Sequence, residues 1–353
     1  MQTENFWKQI KKPILALSPM DGLTDQPFRY IQKKYGAPAV MYTEFTSVEG
    51  VCHGATQLLK DFLYDETQRP IIAQIYGTTP EYFRQTALIL CELGFDGIDI
   101  NMGCPAKNVA HSGAGAALIK TPQLAQEIIA VTKQGVIDWQ NGMTVAECPD
   151  ITQKIEHEVK RRHDLLPAKY QEKRTVPVSV KTRIGYDEPV IEEWIPTLLE
   201  MEPTTIAIHG RTLKQQYGGS ASWENIGKAA AIIKKTETIA LGNGDVQTHA
   251  MALDYVSTYG VDGVLLGRAS LGNPYVFLPE SPAGPNIFQI AVEHSELFEQ
   301  IYKDEEKYSF MPMRKHLAWY VKAIPNATDI RIQLVQATNA AQVREIFQKY
   351  QLI

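Results

Sequence analysis

The stretch DINMGCPAKNVAHSGAGAALIK, Asp99 to Lys120, sets a thiol between a glycine and a proline just past a short apolar run. A Gly103-Cys104-Pro105 turn fits a tight, fixed geometry that would aim the side chain. At an unperturbed pKa of about 8.5 the thiol is mostly protonated near neutral pH, so it can serve as a general acid. Cysteine is also among the most buried and inert residue types. That bland reading suits Cys52, Cys91 and Cys148; position points to chemistry for Cys104. Other polar groups recur at the ends of apolar runs: Ser18-Pro19-Met20, Gln74, Asn101, Lys181 and Arg183, His209 and Arg211, Asn243-Gly244-Asp245, and Gly267-Arg268. Singly these are weak signals. A lone histidine is usually structural, and a lone glutamine can satisfy a buried backbone group. Lys181 is different, because lysine is almost never fully buried unpaired.

These residues need elements that bring their ends to one face. Short apolar, β-branched runs begin at Pro13, Pro38, Pro70, Phe95, Val176, Thr204, Thr238 and Val261, with helical stretches between them. Near-continuous apolar strands alternating with helices indicate parallel strands buried on both faces. Eight is the number that closes a (β/α)8 barrel of the TIM type, whose active sites lie at the C-terminal strand ends. A doubly wound sheet is the alternative; the missing GxGxxG after the first strand counts against it. Barrels frequently bind phosphate with the loops after strands seven and eight. Here those loops are GNGD and GRAS, with glycines that admit close backbone approach and Arg268 for bidentate charge. A phosphate there, with Gln74, Lys181 and His209 at the mouth, suits FMN better than PLP, although Lys181 could form a Schiff base.

The barrel is expected over residues 1–280, interrupted by an insertion at about 134–175. The insertion's charge-dense second half reads as an exposed helix with a basic cluster at Lys160, Arg161 and Arg162, most simply a solvated face. PESPAGPN, Pro279 to Asn286, reads as a linker. Residues 286–353 have no strand rhythm and read as a small all-helical domain. It is locally basic: Arg314, Lys315, Lys322, Arg331, Arg344 and Lys349 face only Asp329 and Glu345 after Met311. The net charge of −5 argues against a globally basic nucleic-acid binder and leaves room for a local basic face. The 44% hydrophobic and 21% charged composition excludes disordered classes. No long uncharged apolar stretch, secretory pattern or CxxC pair occurs, so a reducing, cytoplasmic protein without membrane span or metal is expected.

SPMDGLTDQPFR, DINMGCPAKNV with GAGAALIK, VPVSVKTRIGYD, IAIHGRTLKQQYGG with SWENI, GNGDV, GVLLGRASLGNP and MRKHLAWY resemble the tRNA-dihydrouridine synthases. The likeness runs from about residue 14 to the end, excepting the insertion, and its wording is nearest the bacterial B-type branch. It implies an FMN enzyme that reduces the C5=C6 bond of uridines in tRNA, with NADPH as electron source, and a helical domain that helps hold the RNA. By position, Cys104 matches the catalytic cysteine. Gln74, Lys181, His209, Asn243, Gly244, Gly267 and Arg268 match flavin contacts, and Ser18, Pro19, Met20 and Asp245 join them as cofactor-binding candidates. Asn101, Arg183 and Arg211 match positions near the uracil or the flavin rim. Arg314, Lys315 and His316 fall in the motif that faces RNA.

On this reading hydride passes to C6, and Cys104 protonates C5 from the opposite face of the base. The uridine must be extruded from its stack, at a cost of a few kcal/mol. The basic helical tail, with Lys160–Arg162 and Lys107 as further candidates, would grip phosphates. A monomer is expected. The rival readings are an FMN barrel reductase of a small-molecule pyrimidine and a non-catalytic RNA-binding relative.

Overall fold

Strands buried on both faces need helices on the outside and a closed or covered edge. The computed structural model, which describes residues 5–305, 308–322 and 324–353, meets both needs. Its strands are β1 (Ile14–Leu17), β2 (Met41–Ser47), β3 (Ile71–Tyr76), β4 (Gly97–Met102), β5 (Val178–Gly185), β6 (Thr205–Thr212), β7 (Ile239–Asn243) and β8 (Gly263–Leu266). They form one parallel sheet in the order β1-β8-β7-β6-β5-β4-β3-β2. The two ends of that order meet: Leu17 N donates to Val40 O at 3.0 Å and Ala39 N to Leu15 O at 2.8 Å, with Ala16 bridging Val40 in parallel. The sheet is therefore the expected barrel and not the doubly wound alternative.

Local chemistry starts the outer helices. The Asp25 side chain caps Gln26–Gly36 by accepting from Phe28 N at 2.9 Å. Prolines open Pro80–Glu92 and Pro122–Gln140, where a missing N–H costs nothing. Helices Ile191–Leu199, Trp223–Ile233 and His249–Tyr259 complete the outer layer between β5 and β8.

The insertion begins later than the sequence suggests, because Pro122–Gln140 continues through residue 134. Residues 141–175 lie against the outside of Pro80–Glu92. Gln85 Nε2 donates to Asp150 Oδ2 at 2.7 Å, Asp150 N returns a bond to Gln85 Oε1 at 3.1 Å, and Ile155 and Val159 are buried. Arg174 Nη2 donates to Phe95 O at 2.8 Å, just before β4 and at the opposite end from the active-site candidates. The basic cluster is largely neutralised: Arg161 and Arg162 both bind Glu158, and Lys160 pairs with Asp164. It is a solvated helix face, not a free phosphate-binding patch. The Lys107 side chain lies outside the described residues.

After the proline-rich linker, Asn286 starts helix Ile287–Tyr302 with a capping box to Gln289. Met311–Tyr320, Ala327–Leu334 and Ala340–Lys349 follow. Their apolar core, including Phe298, Leu317, Val343 and Phe347, also takes in Ile31 of Gln26–Gly36, so it docks on the barrel's first helix. No helix among the described residues is long and apolar enough to cross a membrane.

Gly272 lies at this joint with φ +68°, and a Cβ there would fall against the Trp319 carbonyl. Gly272→Ala is expected to lower unfolding free energy by at least about 1–2 kcal/mol, the cost of a left-handed alanine alone. Urea unfolding checks this; an unchanged midpoint would show that the joint does not constrain this backbone.

Candidate active site

Side chains two apart on a strand share a face, and parallel register carries that face to the next strand. Asn101 pairs with Lys181, Arg183 with His209, and His209 with Asn243. This ladder brings polar strand ends to a cavity of about 600 Å³, within the roughly 300–1,000 Å³ usual for small-molecule and cofactor sites. Cys104 lines it. So do Ser18, Pro19 and Met20 after β1, Gln74 on β3, Asn101 on β4, Lys181 and Arg183 on β5, and His209 on β6. Asn243, Gly244 and Asp245 after β7, with Gly267 and Arg268 after β8, close the ring.

The thiol is held from below. Asn101 Oδ1 accepts from Gly103 N at 3.0 Å and from Cys104 N at 2.9 Å, fixing the turn. Asn101 Nδ2 donates to Gln74 Oε1 at 3.0 Å, and Gln74 Nε2 to Asp99 Oδ2 at 2.7 Å. Asp99 Oδ1 accepts from Ser179 Oγ at 2.7 Å, so one chain of hydrogen bonds crosses three strands. Arg183 Nε donates to Gly103 O at 2.7 Å, while its Nη1 holds Thr212 O at 2.9 Å. Asn101 and Arg183 thus spend polar atoms on fixing backbone. Cys104 is 8% exposed and packs against Val109, Ala114, Phe45 and Tyr76. Burial, aided by Asp21, pushes the thiol above its ordinary value, which keeps it a proton donor at neutral pH.

Across the cavity the field is positive. Lys181 Nζ makes no hydrogen bond to protein among the described residues, and burial with Arg183 nearby lowers it to about 8. Burial, then Lys181, Arg183, Arg211 and Arg268, hold His209 well below its ordinary value, so the imidazole is neutral and can both donate and accept. Asp245 is the local counter-charge. It accepts from Arg211 Nη2 at 2.7 Å, Arg268 Nη2 at 2.7 Å and Ala221 N at 2.8 Å. Asn243 Nδ2 donates to Leu265 O at 2.9 Å, tying β7 to β8. Gly244, at φ +126°, packs on the His209 ring; a Cβ there would sit 3.0 Å from its Cδ2.

Arg211 lies behind the wall, bound to Asp245 and to the Gly218 and Gly219 carbonyls, and does not line the cavity. Arg314, Lys315 and His316 are elsewhere. Arg314 Nε donates to Ala337 O at 2.9 Å, and Lys315 Nζ to Gly22 O at 3.1 Å. His316 is 2% exposed and turned away from solvent; its ring stacks on Phe28 because the apolar stripe of its helix turns inward. Phe45, Gln216, Tyr217 and Trp319 line the cavity and were not singled out from sequence. The tyrosine and tryptophan stand inside the quoted IAIHGRTLKQQYGG and MRKHLAWY motifs, which were the available signal.

Asn101→Ala removes the acceptor for two turn N–H groups. It is expected to lower stability by about 1–3 kcal/mol and to raise Cys104 alkylation severalfold. Denaturant titration and peptide mapping after limited alkylation check this; unchanged labelling would mean the turn holds itself.

The Dihydrouridine synthase (Dus) family matches residues 15–146 and 147–352. A probable tRNA-dihydrouridine synthase of Staphylococcus aureus (strain COL) is 32% identical over 99% of this chain and 96% of its own length. Probable tRNA-dihydrouridine synthase 2 of Bacillus subtilis (strain 168) is 30% identical over 99% and 97%. Among solved structures, morphinone reductase has a TM-score of 0.45 at 9% identity, covering 75% of this chain and 84% of that one. With the family matched over nearly the whole chain, the protein belongs to the dihydrouridine synthases.

Proposed function

We propose that this protein reduces the C5=C6 bond of uridines in tRNA, using FMN as hydride carrier and NADPH as electron source. The observation that carries the reading is one cavity that joins the Cys104 thiol, the unpartnered Lys181 ammonium and the glycine–arginine ends of β7 and β8. FMN fits this set: apolar Met20, Leu265 and Leu271 offer surface for a flat ring, and the cation field suits an anionic edge and a phosphate. Gln74, Lys181 and His209 would hold the ring edge; Gly244, Gly267 and Arg268 would hold the phosphate, with Asp245 orienting Arg268. Bound FMN supplies the hydride that uracil C6 receives.

The chain's own work is to hold the base and deliver a proton. Cys104 donates from its Sγ to C5, and its raised pKa keeps the proton on sulfur until needed. The Asn101 and Arg183 contacts hold the turn that carries Cys104 at the cavity wall. Phe45 and Trp319 add apolar walls that exclude water. An extruded uridine enters from RNA gripped by the helical region. There Arg314, Lys315, Lys322, Arg331 and Lys349 have no carboxylate partner among the described residues, whereas Arg344 pairs with Glu296. This local charge supports phosphate contacts despite net charge −5.

Cys104→Ala is expected to cut dihydrouridine formation by about 10²–10⁴-fold with the flavin absorbance retained. Mass-spectrometric mapping of tRNA reads the product; undiminished turnover would remove Cys104 as the acid. The Lys181 ammonium must keep its proton to hold an anion, so binding favours pH below 8. FMN affinity is expected to fall about tenfold from pH 7 to pH 9. The dependence should vanish in Lys181→Met. Fluorescence titration checks it, and a flat wild-type profile would place the flavin edge away from Lys181.

A further inference from the structure

Among the described residues, two imidazoles outside the cavity find no hydrogen-bond partner for their Nε2 atoms. His294, on Ile287–Tyr302, and His316, on Met311–Tyr320, are 0% and 2% exposed, and each Nε2 is buried without a partner. An orphaned buried ring nitrogen is costly, and two on rings whose centroids lie 4.8 Å apart can share a ligand. A carboxylate oxygen of Asp25 completes the group: all three ligand atoms lie within 4.8 Å of one another. Asp25 uses Oδ1 to cap its helix, but a carboxylate has capacity for more than one bond.

We propose that Asp25, His294 and His316 bind a zinc ion that pins the helical region to the barrel. Two imidazoles and a carboxylate form a common zinc donor set, with water available as a fourth ligand. His294 Nδ1 lies 3.1 Å from the Tyr320 hydroxyl, the kind of outer hydrogen bond that orients a metal-bound histidine, and Nε2 is left without a partner to serve as ligand. Arg29, Lys315 and Lys60 oppose a cation beside Asp25, whose own carboxylate is the anionic group that favours one. Zinc holds its ligand atoms roughly 3.4 Å apart at bond lengths near 2.1 Å, so binding draws the three groups together. Asp25 precedes a barrel helix, whereas the histidines stand on two tail helices, one of which carries Trp319 to the cavity. The ligands come from positions 25, 294 and 316, which explains why no metal spacing appears in the sequence and why no metal was expected from it.

The test uses the full-length protein purified from zinc-supplemented cells, with metal read by mass spectrometry and stability by thermal melting. The expected result is about one zinc per chain. A chelator should lower the melting temperature by several degrees, and added zinc should restore it. Asp25→Asn keeps a good helix cap but loses the anionic ligand, so zinc affinity should weaken by at least about tenfold. The proposal is overturned by substoichiometric zinc with a chelator-insensitive melt, or by full zinc affinity in both Asp25→Asn and His316→Ala. These readouts do not depend on flavin, RNA or turnover, so they stand apart from the proposed reaction.

Discussion

The mouth of the barrel carries more positive charge than the protein itself balances. Lys181, Arg183, Arg211 and Arg268 converge on the space around His209. Asp245 answers two of them, and Asp99 lies deeper, where burial pushes its carboxyl to about 6 despite bonds from Gln74 and Ser179. A buried cation with no hydrogen-bond partner among the described residues has a depressed pKa, and burial brings Lys181 to about 8. Burial first, and the positive field second, keep His209 neutral. The same burial holds the nearby thiol in its protonated form.

That imbalance is tolerable because the wall around it is stiff. The closed sheet satisfies its own backbone, so polar side chains at the strand ends are free to brace loops. Asn101 and Arg183 clamp the Cys104 turn from two sides, and Asn243 ties the last strands together. Sequence position alone makes these residues look like ligand contacts. Their hydrogen bonds show that much of their capacity goes to fixing the groups that face the cavity.

The helical region is joined to this wall rather than tethered beside it. It shares an apolar core with the first barrel helix, places Trp319 on the cavity rim and sends Lys315 back to Gly22. Insertion residues 141–175 pack on Pro80–Glu92, and Glu158 and Asp164 pair with Lys160, Arg161 and Arg162. On the tail helices most cations lack a carboxylate partner among the described residues.

The alternation of apolar strands and capped helices determined the barrel, because a strand buried on both faces has few other destinations. Strand-end position singled out Cys104, Lys181, His209 and the glycine turns, since parallel closure sends all such ends to one face. The tertiary structure decided what local pattern cannot hold. The start of the insertion depended on how far Pro122–Gln140 could keep packing along Pro80–Glu92. The burial of His316 depended on Phe28, nearly three hundred residues earlier. Phe45, Tyr217 and Trp319 reached the cavity through loops and a docked helix, and such approaches leave no periodic mark in a sequence. Hydrophobic periodicity records which face of an element is buried; partners brought together across the chain follow from packing.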